Sequence, residues 1–362
     1  MSVLADWLTR QAPAWLDGSH PLTPAQRRAL LAIMRCRTPA MGGHLYRCTA
    51  CAETDFAYHS CHHRACPRCG GERTAEWTQK QTERLLPVPY FLVTFTVPAA
   101  VRPIFTARPQ LLHDLFFNQA ARALQSVADQ PRHLGAELGM IGVLHTWGRQ
   151  LQAHPHLHFI IPGGGLTTDR TAWRTARKAD WLLPKKAVES VLRRGMEEAL
   201  RAAAPELHAQ VPEVCWHEGW WLHCQPAGSG VNVVKYLARY VSRTAISDER
   251  IVSAQDQSVT FRYTDSATQR PAECTLASDE FMRRYLQHVP QPGQHRVRYF
   301  GWMHPAAKRR RILVETLLAT LIIVRPASEE LSWHLRCPHC QALTPVCVAK
   351  LPRSRAPPSC SA

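Results

Sequence analysis

The chain has 362 residues, with 44 Lys and Arg against 28 Asp and Glu, a formal charge of +16. That length supports two or three domains with a sizeable core, and an excess of positive charge this large points to a polyanionic partner, most often nucleic acid. Residues 1–10 lack the apolar core of a signal peptide, and the apolar run 312–324 is short and interrupted by Glu315, so it reads as a buried element and not a membrane span. Thirteen cysteines without a secretion signal argue for reduced thiols and metal sites rather than a disulfide scaffold, so an intracellular, cytoplasmic protein is expected.

From the N-terminus, Thr23-Pro24 has the form of an N-cap followed by proline at the first helical position, which predicts a helix running to about Arg35. A loop-rich segment follows with Cys48-x-x-Cys51, Cys61-His62-His63 and Cys66-x-x-Cys69. Two Cys-x-x-Cys pairs at this separation fit one tetrahedral, structural Zn2+ site closed by two knuckles, because four thiolates leave no open position for water. His44, Cys61 and Cys36 are spare candidates that could replace a ligand or bind a second ion. A further Cys-x-x-Cys, Cys337 to Cys340, lies near the C-terminus with Cys347 beyond it, and its partners are open.

Residues 71–86 have helical spacing and end at Pro87. Residues 90–97 form a strong β-run stopped by Pro98. The pattern then predicts a helix over 110–127, a strand over 140–147, and a strand over 154–162. Beyond it come a helix over 187–204, a tryptophan-rich strand over 214–224, and a helix over 231–242 entered from a Gly/Ser loop. Strands near 259–263 and 273–276, a helix over 279–288 and a strand near 296–300 complete the series, with a disordered tail after Lys350.

The 154–162 strand carries His154, His156 and His158 on one face and Leu157, Phe159 and Ile161 on the other, since residues two apart share a face. His154 and His158 are separated by about 13 Å of strand, too far to hold one ion easily. The pair is therefore His154 with His156 or His156 with His158. The second is favoured because Pro155 sits better at a strand's start than in its interior. A half-buried strand that merely carries histidines is the alternative. Folding the short loop around Gly148 makes an antiparallel hairpin that can bring His145 beside His156 and His158. Three histidines with open positions could hold a divalent ion that in turn holds a substrate phosphate.

Tyr236 and Tyr240 are four apart in the 231–242 helix, so both hydroxyls leave one face, among Lys235, Arg239 and Arg243. A tyrosine with a pKa of ~10 becomes a useful nucleophile only where cations or a metal favour its phenolate. The competing reading of such a pair is packed core.

His156-Leu157-His158 with the Gly163-Gly164-Gly165 turn, Tyr236 to Arg243, and His295 to Trp302 together resemble the rolling-circle transposases of the insertion-sequence-ninety-one family. The Cys48 to Cys69 segment is similar to the zinc-binding domain that precedes the catalytic domain in that family, although Ala65 stands where a histidine is expected. The likeness covers about 22–305. It implies an α+β fold, a histidine-hydrophobe-histidine (HUH) nuclease core with an antiparallel sheet flanked by helices, preceded by the small Cys-rich zinc-binding module. The expected organisation is N-terminal helices and zinc-binding domain over 1–86, the tyrosine transposase domain over 87–305, and a basic, Cys-containing tail over 306–362. It further implies cleavage and religation of single-stranded DNA through a 5′-phosphotyrosine.

By that likeness His156 and His158 are metal ligands and Tyr236 and Tyr240 the catalytic tyrosines, with Mg2+ or Mn2+ as the catalytic ion. His145 is added on the hairpin reading, aided by similarity to the three-histidine sites of conjugative relaxases. Zn2+ at Cys48, Cys51, Cys66 and Cys69 is structural, and Lys235, Arg239, Arg243 and Lys308, Arg309, Arg310, Arg311 would contact DNA. The rival readings are a zinc-dependent DNA-binding regulator without catalysis, a relaxase- or replication-initiator-like nickase, and a hydrolytic metalloenzyme that leaves no covalent adduct.

Overall fold

The structure is a computed structural model that describes residues 2–180, 182–241, 245–318, 336–343 and 345–353, with the side chains of residues 72, 73, 239 and 240 outside the description. β-branched and aromatic residues build a five-stranded antiparallel sheet in the spatial order Val297–Gly301, Gly139–Trp147, Ala153–Pro162, Tyr90–Thr96 and Trp221–Pro226. One face is covered by the helices Pro109–Ala128 and Lys185–Ala203. There Leu157, Phe159 and Ile161 share a core with Phe116, Phe117, Leu124, Leu192 and Met196. On the other face Leu92, Ile141, Val143 and Ile160 cluster with Val234 and Leu237 of the helix Val231–Val241 and with Trp302 and Val314.

This two-sided burial sets the register of the histidine strand. Fully burying a side chain such as Leu157 or Phe159 is worth roughly 1.5–3 kcal/mol. A one-residue slip would move all of them off the helix-covered face and carry the histidines into it, so the native register is strongly preferred.

The chain divides into two units, one of Met1–Arg73, Ser242–Pro290 and Val324–Ala362, the other of Thr74–Val241 and Gln291–Ile323. The expected division at 86 and 305 into consecutive segments is therefore not the one observed. The three-stranded sheet of Ile251–Ala254, Ser258–Thr264 and Pro271–Ala277 belongs with the N-terminal helices, and the 336–353 segment joins that same unit. In this unit Trp7 of the helix Val3–Leu16 meets Phe281 edge-on, with ring centroids 5.2 Å apart, and its indole N–H donates to the carbonyl of Gln255 at 2.8 Å. The helix Pro24–Arg35 starts with a capping box, in which the Thr23 hydroxyl and the Gln26 side chain each accept from the other's backbone N–H.

The predicted elements over 90–97, 110–127, 140–147 and 154–162 appear within a residue or two. The tryptophan-rich strand over 214–224 is corrected. Glu213–Trp216 is a 3-10 turn and only Trp221–Pro226 is extended. The cause is tertiary: Trp216 and Trp220 are buried against the helix face, and the Trp220 indole N–H donates to the Cys215 carbonyl, which closes a turn. Among the described residues no helix is long and apolar enough to cross a membrane. Most of the apolar run 312–324 beyond Leu318, and the expected disordered tail past Arg353, lie outside the described residues.

Candidate functional site

His156 pairs directly with His145 across the hairpin, and His158 pairs with Thr94 of the neighbouring strand. The register shift between His145 and Trp147 lies at the loop end, so the pairing is regular where the histidines sit. As a result His145, His156 and His158 converge, with one ligand nitrogen of each within 4.8 Å of the others. His145 Nδ1 and His156 Nε2 are 3.1 Å apart. Nitrogens at adjacent corners of an octahedron with bonds of about 2.1 Å would be about 3.0 Å apart, so this spacing suits a shared divalent ion. His154 is half-buried on the same strand and is not part of the convergent group.

Second contacts orient the rings. His156 Nδ1 donates to the backbone carbonyl of His154 at 2.7 Å, which leaves its Nε2 with the lone pair. His158 Nδ1 is held by the Thr94 hydroxyl at 2.8 Å, and its buried Nε2 meets no hydrogen-bond partner among the described residues. A buried, unpaired imidazole nitrogen beside two other imidazoles is the donor set a metal ion satisfies. Burial lowers the pKa of His158 to about 4. Burial, followed by the neighbouring imidazoles, holds His145 and His156 well below the ordinary imidazole range. All three are therefore neutral near pH 7, the form a metal binds. Trp147 stacks on His145 with centroids 5.6 Å apart, and the Arg296 guanidinium lies 5.4 Å from the Trp147 ring centre.

The helix Val231–Val241 lies on the histidine face because Val234 and Leu237 are fully buried there. That seating turns Tyr236 toward the histidines, with its ring centroid 6.3 Å from that of His158 and the residue 43% exposed. The competing reading, packed core, does not fit a Tyr236 ring this exposed. Lys235 is exposed on the same helix. The side chains of Arg239 and Tyr240, and Arg243 entirely, lie outside the described residues.

The cysteine grouping is corrected. Cys48, Cys51, Cys66 and Cys69 do not meet at one point. Cys66 and Cys69 gather with Cys36 and Cys61, while Cys48 and Cys51 gather with Cys337 and Cys340. The former spares Cys36 and Cys61 are thus the partners of the second knuckle. In the Cys36 group, Cys61 Sγ and Cys69 Sγ are 3.7 Å apart, close to the ~3.8 Å edge of a tetrahedron with Zn–S bonds of about 2.3 Å. Two of these four thiols, Cys36 and Cys69, are favoured as thiolates at the expense of Cys61 and Cys66. Hydrogen bonds from Cys61, Cys66 and Cys69 hold Cys36 far below the usual thiol range, and the bond to Cys36 pushes Cys61 and Cys66 far above it. A dication relieves that conflict by letting every thiolate face positive charge, so the donor set fits zinc. The sequence signal for this pairing was the plain presence of Cys36 and Cys61; nothing local showed which knuckle they join.

Of the basic run at the start of the helix Lys308–Leu318, Arg310 pairs with Glu137 and Arg311 with Glu315, while Lys308 and Arg309 are exposed. Thr94, unremarked in the sequence, is the residue that pattern reading missed; its role depends on cross-strand register and not on any motif.

Residues 139–311 match the family model described as "Putative transposase", and residues 7–97 match the transposase zinc-binding domain. The chain is 37% identical over 318 residues to "Putative transposase y4qJ" of Sinorhizobium fredii (strain NBRC 101917 / NGR234), covering 83% of this chain and 80% of the relative. It is 29% identical over 291 residues to the transposase for insertion sequence element IS801 of Pseudomonas savastanoi pv. phaseolicola, covering 75% of this chain and 68% of that one. No solved structure matches. The zinc-binding match and the cysteine clusters together support structural zinc.

Proposed function

Because the chain belongs to the insertion-sequence-ninety-one family of transposases, we propose that it nicks and rejoins single-stranded DNA at the ends of its element through a 5′-phosphotyrosine, the chemistry of rolling-circle transposition. As a transposase it is an enzyme that acts on DNA. The observation that carries the finer reading is the approach of the exposed Tyr236 ring to His158 within the three-histidine group.

His145, His156 and His158 would hold Mg2+ or Mn2+, which when bound polarises the scissile phosphate and offsets the charge that develops there. Tyr236 Oη attacks phosphorus, forming the Oη–P bond as the P–O3′ bond breaks. The phenolic proton passes to solvent and the 3′ end leaves as a hydroxyl. A 3′-hydroxyl later attacks the phosphotyrosine and releases Tyr236, so one phosphodiester replaces another and no ATP is needed. Lys235, exposed on the same helix, would contact the DNA backbone. Tyr240, one helical turn along, would receive the second strand end; this assignment rests on helical spacing alone. Lys308 and Arg309 would grip the DNA backbone.

The test is a denaturing gel of the protein with end-labelled single-stranded DNA carrying the element's own ends, followed by peptide mapping of the adduct. Wild type forms a covalent adduct on the 231–241 helix, and the Tyr236→Phe, Tyr240→Phe double variant binds DNA but forms none. An adduct on the double variant would move the nucleophile to another side chain, and cleavage by wild type with free ends and no adduct would replace the tyrosines with metal-activated water.

A further inference from the structure

The Cys48–Cys51 and Cys337–Cys340 turns are built alike, residue for residue. In the first, the Cys48 N–H donates to the Glu53 carbonyl at 2.8 Å and the Ala52 N–H to the Cys48 carbonyl at 2.9 Å. In the second, the Cys337 N–H donates to the Ala342 carbonyl at 2.9 Å and the Gln341 N–H to the Cys337 carbonyl at 2.8 Å. The residue after each second cysteine takes a left-handed conformation, Ala52 with φ 63° and Gln341 with φ 62°. Neither alanine nor glutamine prefers that region, so a repeated pair of such residues marks a backbone shape held by something beyond local propensity. The shape is the knuckle that points two thiols at one spot.

Those two knuckles face each other. Cys48 Sγ lies 3.6 Å from Cys340 Sγ and Cys51 Sγ 3.6 Å from Cys337 Sγ, and all four sulfurs fall within 4.8 Å of one another. A tetrahedron of thiolates around zinc has edges of about 3.8 Å. The strand Pro345–Leu351 then pairs antiparallel with Gly43–Cys48, with Cys48 opposite Pro345 and Gly43 opposite Leu351. The segment beyond Cys337 is therefore a third strand of the sheet formed by Gly43–Cys48 and Thr54–Tyr58. Cys347, on that strand, is exposed and is not part of the group.

We propose that Cys48, Cys51, Cys337 and Cys340 form a second structural zinc site, separate from that of Cys36, Cys61, Cys66 and Cys69, which fastens the C-terminal strand to the N-terminal module. Both family matches end short of Cys337, at residues 97 and 311, so neither assigns this site. Ion binding displaces the thiol protons to solvent and leaves four thiolates on the metal. Because its ligands lie 292 residues apart, from Cys48 to Cys340, the site closes a loop of most of the sequence, and its loss frees the strand as well as the ion.

The test uses the full chain, purified without chelator and also loaded with Co2+ in place of zinc. Thiolate-to-cobalt absorption counts only sulfur-ligated ions, so metal held by histidine does not contribute. Wild type holds two such ions. Cys337→Ser/Cys340→Ser and Cys48→Ser/Cys51→Ser each hold one, the four-fold variant also holds one, and Cys36→Ser/Cys61→Ser holds one. Limited proteolysis of the Cys337→Ser/Cys340→Ser variant cuts early on the C-terminal side of residue 336, while the wild type resists there. The single variant Cys340→His, which keeps a ligand, restores the second ion and the resistance. One ion in wild type, two in Cys337→Ser/Cys340→Ser, or intact-mass evidence for Cys48–Cys340 and Cys51–Cys337 disulfides in freshly purified protein would overturn the assignment.

Discussion

His145 and His156 sit directly opposite one another on adjacent antiparallel strands, with Nδ1 and Nε2 3.1 Å apart. Their distance along the chain is eleven residues, but the hairpin reduces it to a single cross-strand step. Adding His158, two residues along, completes a group that no single strand could supply, because His154 and His158 on one strand are too far apart.

Removing either member of the pair should remove the ion. His145→Ala and His156→Ala are expected to lower cleavage at least about 100-fold and to weaken Mn2+ binding, while DNA binding is retained. His154→Ala, outside the group, should retain both within a few-fold. A Mn2+ titration of the cleavage rate, with gel-shift binding as the control, checks this; full activity in His145→Ala would reduce the site to two histidines.

Thr94→Val keeps the shape of the side chain and deletes the hydroxyl that holds His158 Nδ1. Ring-orienting partners of ligating histidines are typically worth ~10–100-fold in metal affinity. The expected result is a shift of that size in the Mn2+ midpoint, with most of the cleavage rate recovered at saturating metal. An unchanged midpoint would show that the ring is positioned by packing alone.

His113 gives the fold a pH dependence of its own. It is buried, its Nδ1 accepts from the Gln294 amide at 2.6 Å, and burial, with Arg296 and Arg298 nearby, lowers its pKa to about 3 against an ordinary 6.5. Between those values the unfolded chain binds a proton that the folded chain refuses. The contribution is complete above about pH 6.5 and is lost as pH falls toward 3, on the order of a few kcal/mol. Urea unfolding of wild type should therefore weaken across that window more steeply than that of His113→Asn, which does not titrate. Equal slopes would exclude His113 as the source.

Gly301 ends the edge strand Val297–Gly301 with φ +60°, and a Cβ there would lie 1.7 Å from the Leu138 carbonyl oxygen. Backbone cannot yield as a flexible side chain can, so Gly301→Ala combines a left-handed penalty with a clash. A loss of about 2–4 kcal/mol is expected, read as a lower midpoint in thermal or denaturant unfolding. A neutral variant would mean that the edge strand can shift without cost.

Period and spacing by themselves determined a good part of this protein. Alternation in Ala153–Pro162 assigned His156 and His158 to one face and Leu157, Phe159 and Ile161 to the other. Thr23-Pro24 announced an N-cap and a first-turn proline, and the 231–242 pattern announced the helix that carries Tyr236. These are legible because strand alternation, helix caps and helical faces are decided by neighbours within a few residues. The partners of each knuckle were not. A Cys-x-x-Cys turn commits two ligands locally, but whether Cys48 and Cys51 meet Cys66 and Cys69 or Cys337 and Cys340 depends on the path of the chain between them. The same holds for Thr94 on His158, which cross-strand register alone decides, and for Trp216 and Trp220, whose burial against a helix turned an apparent strand into a turn. Contacts between residues distant in sequence are chosen by which buried surfaces fit together, and only the folded chain brings those surfaces into contact.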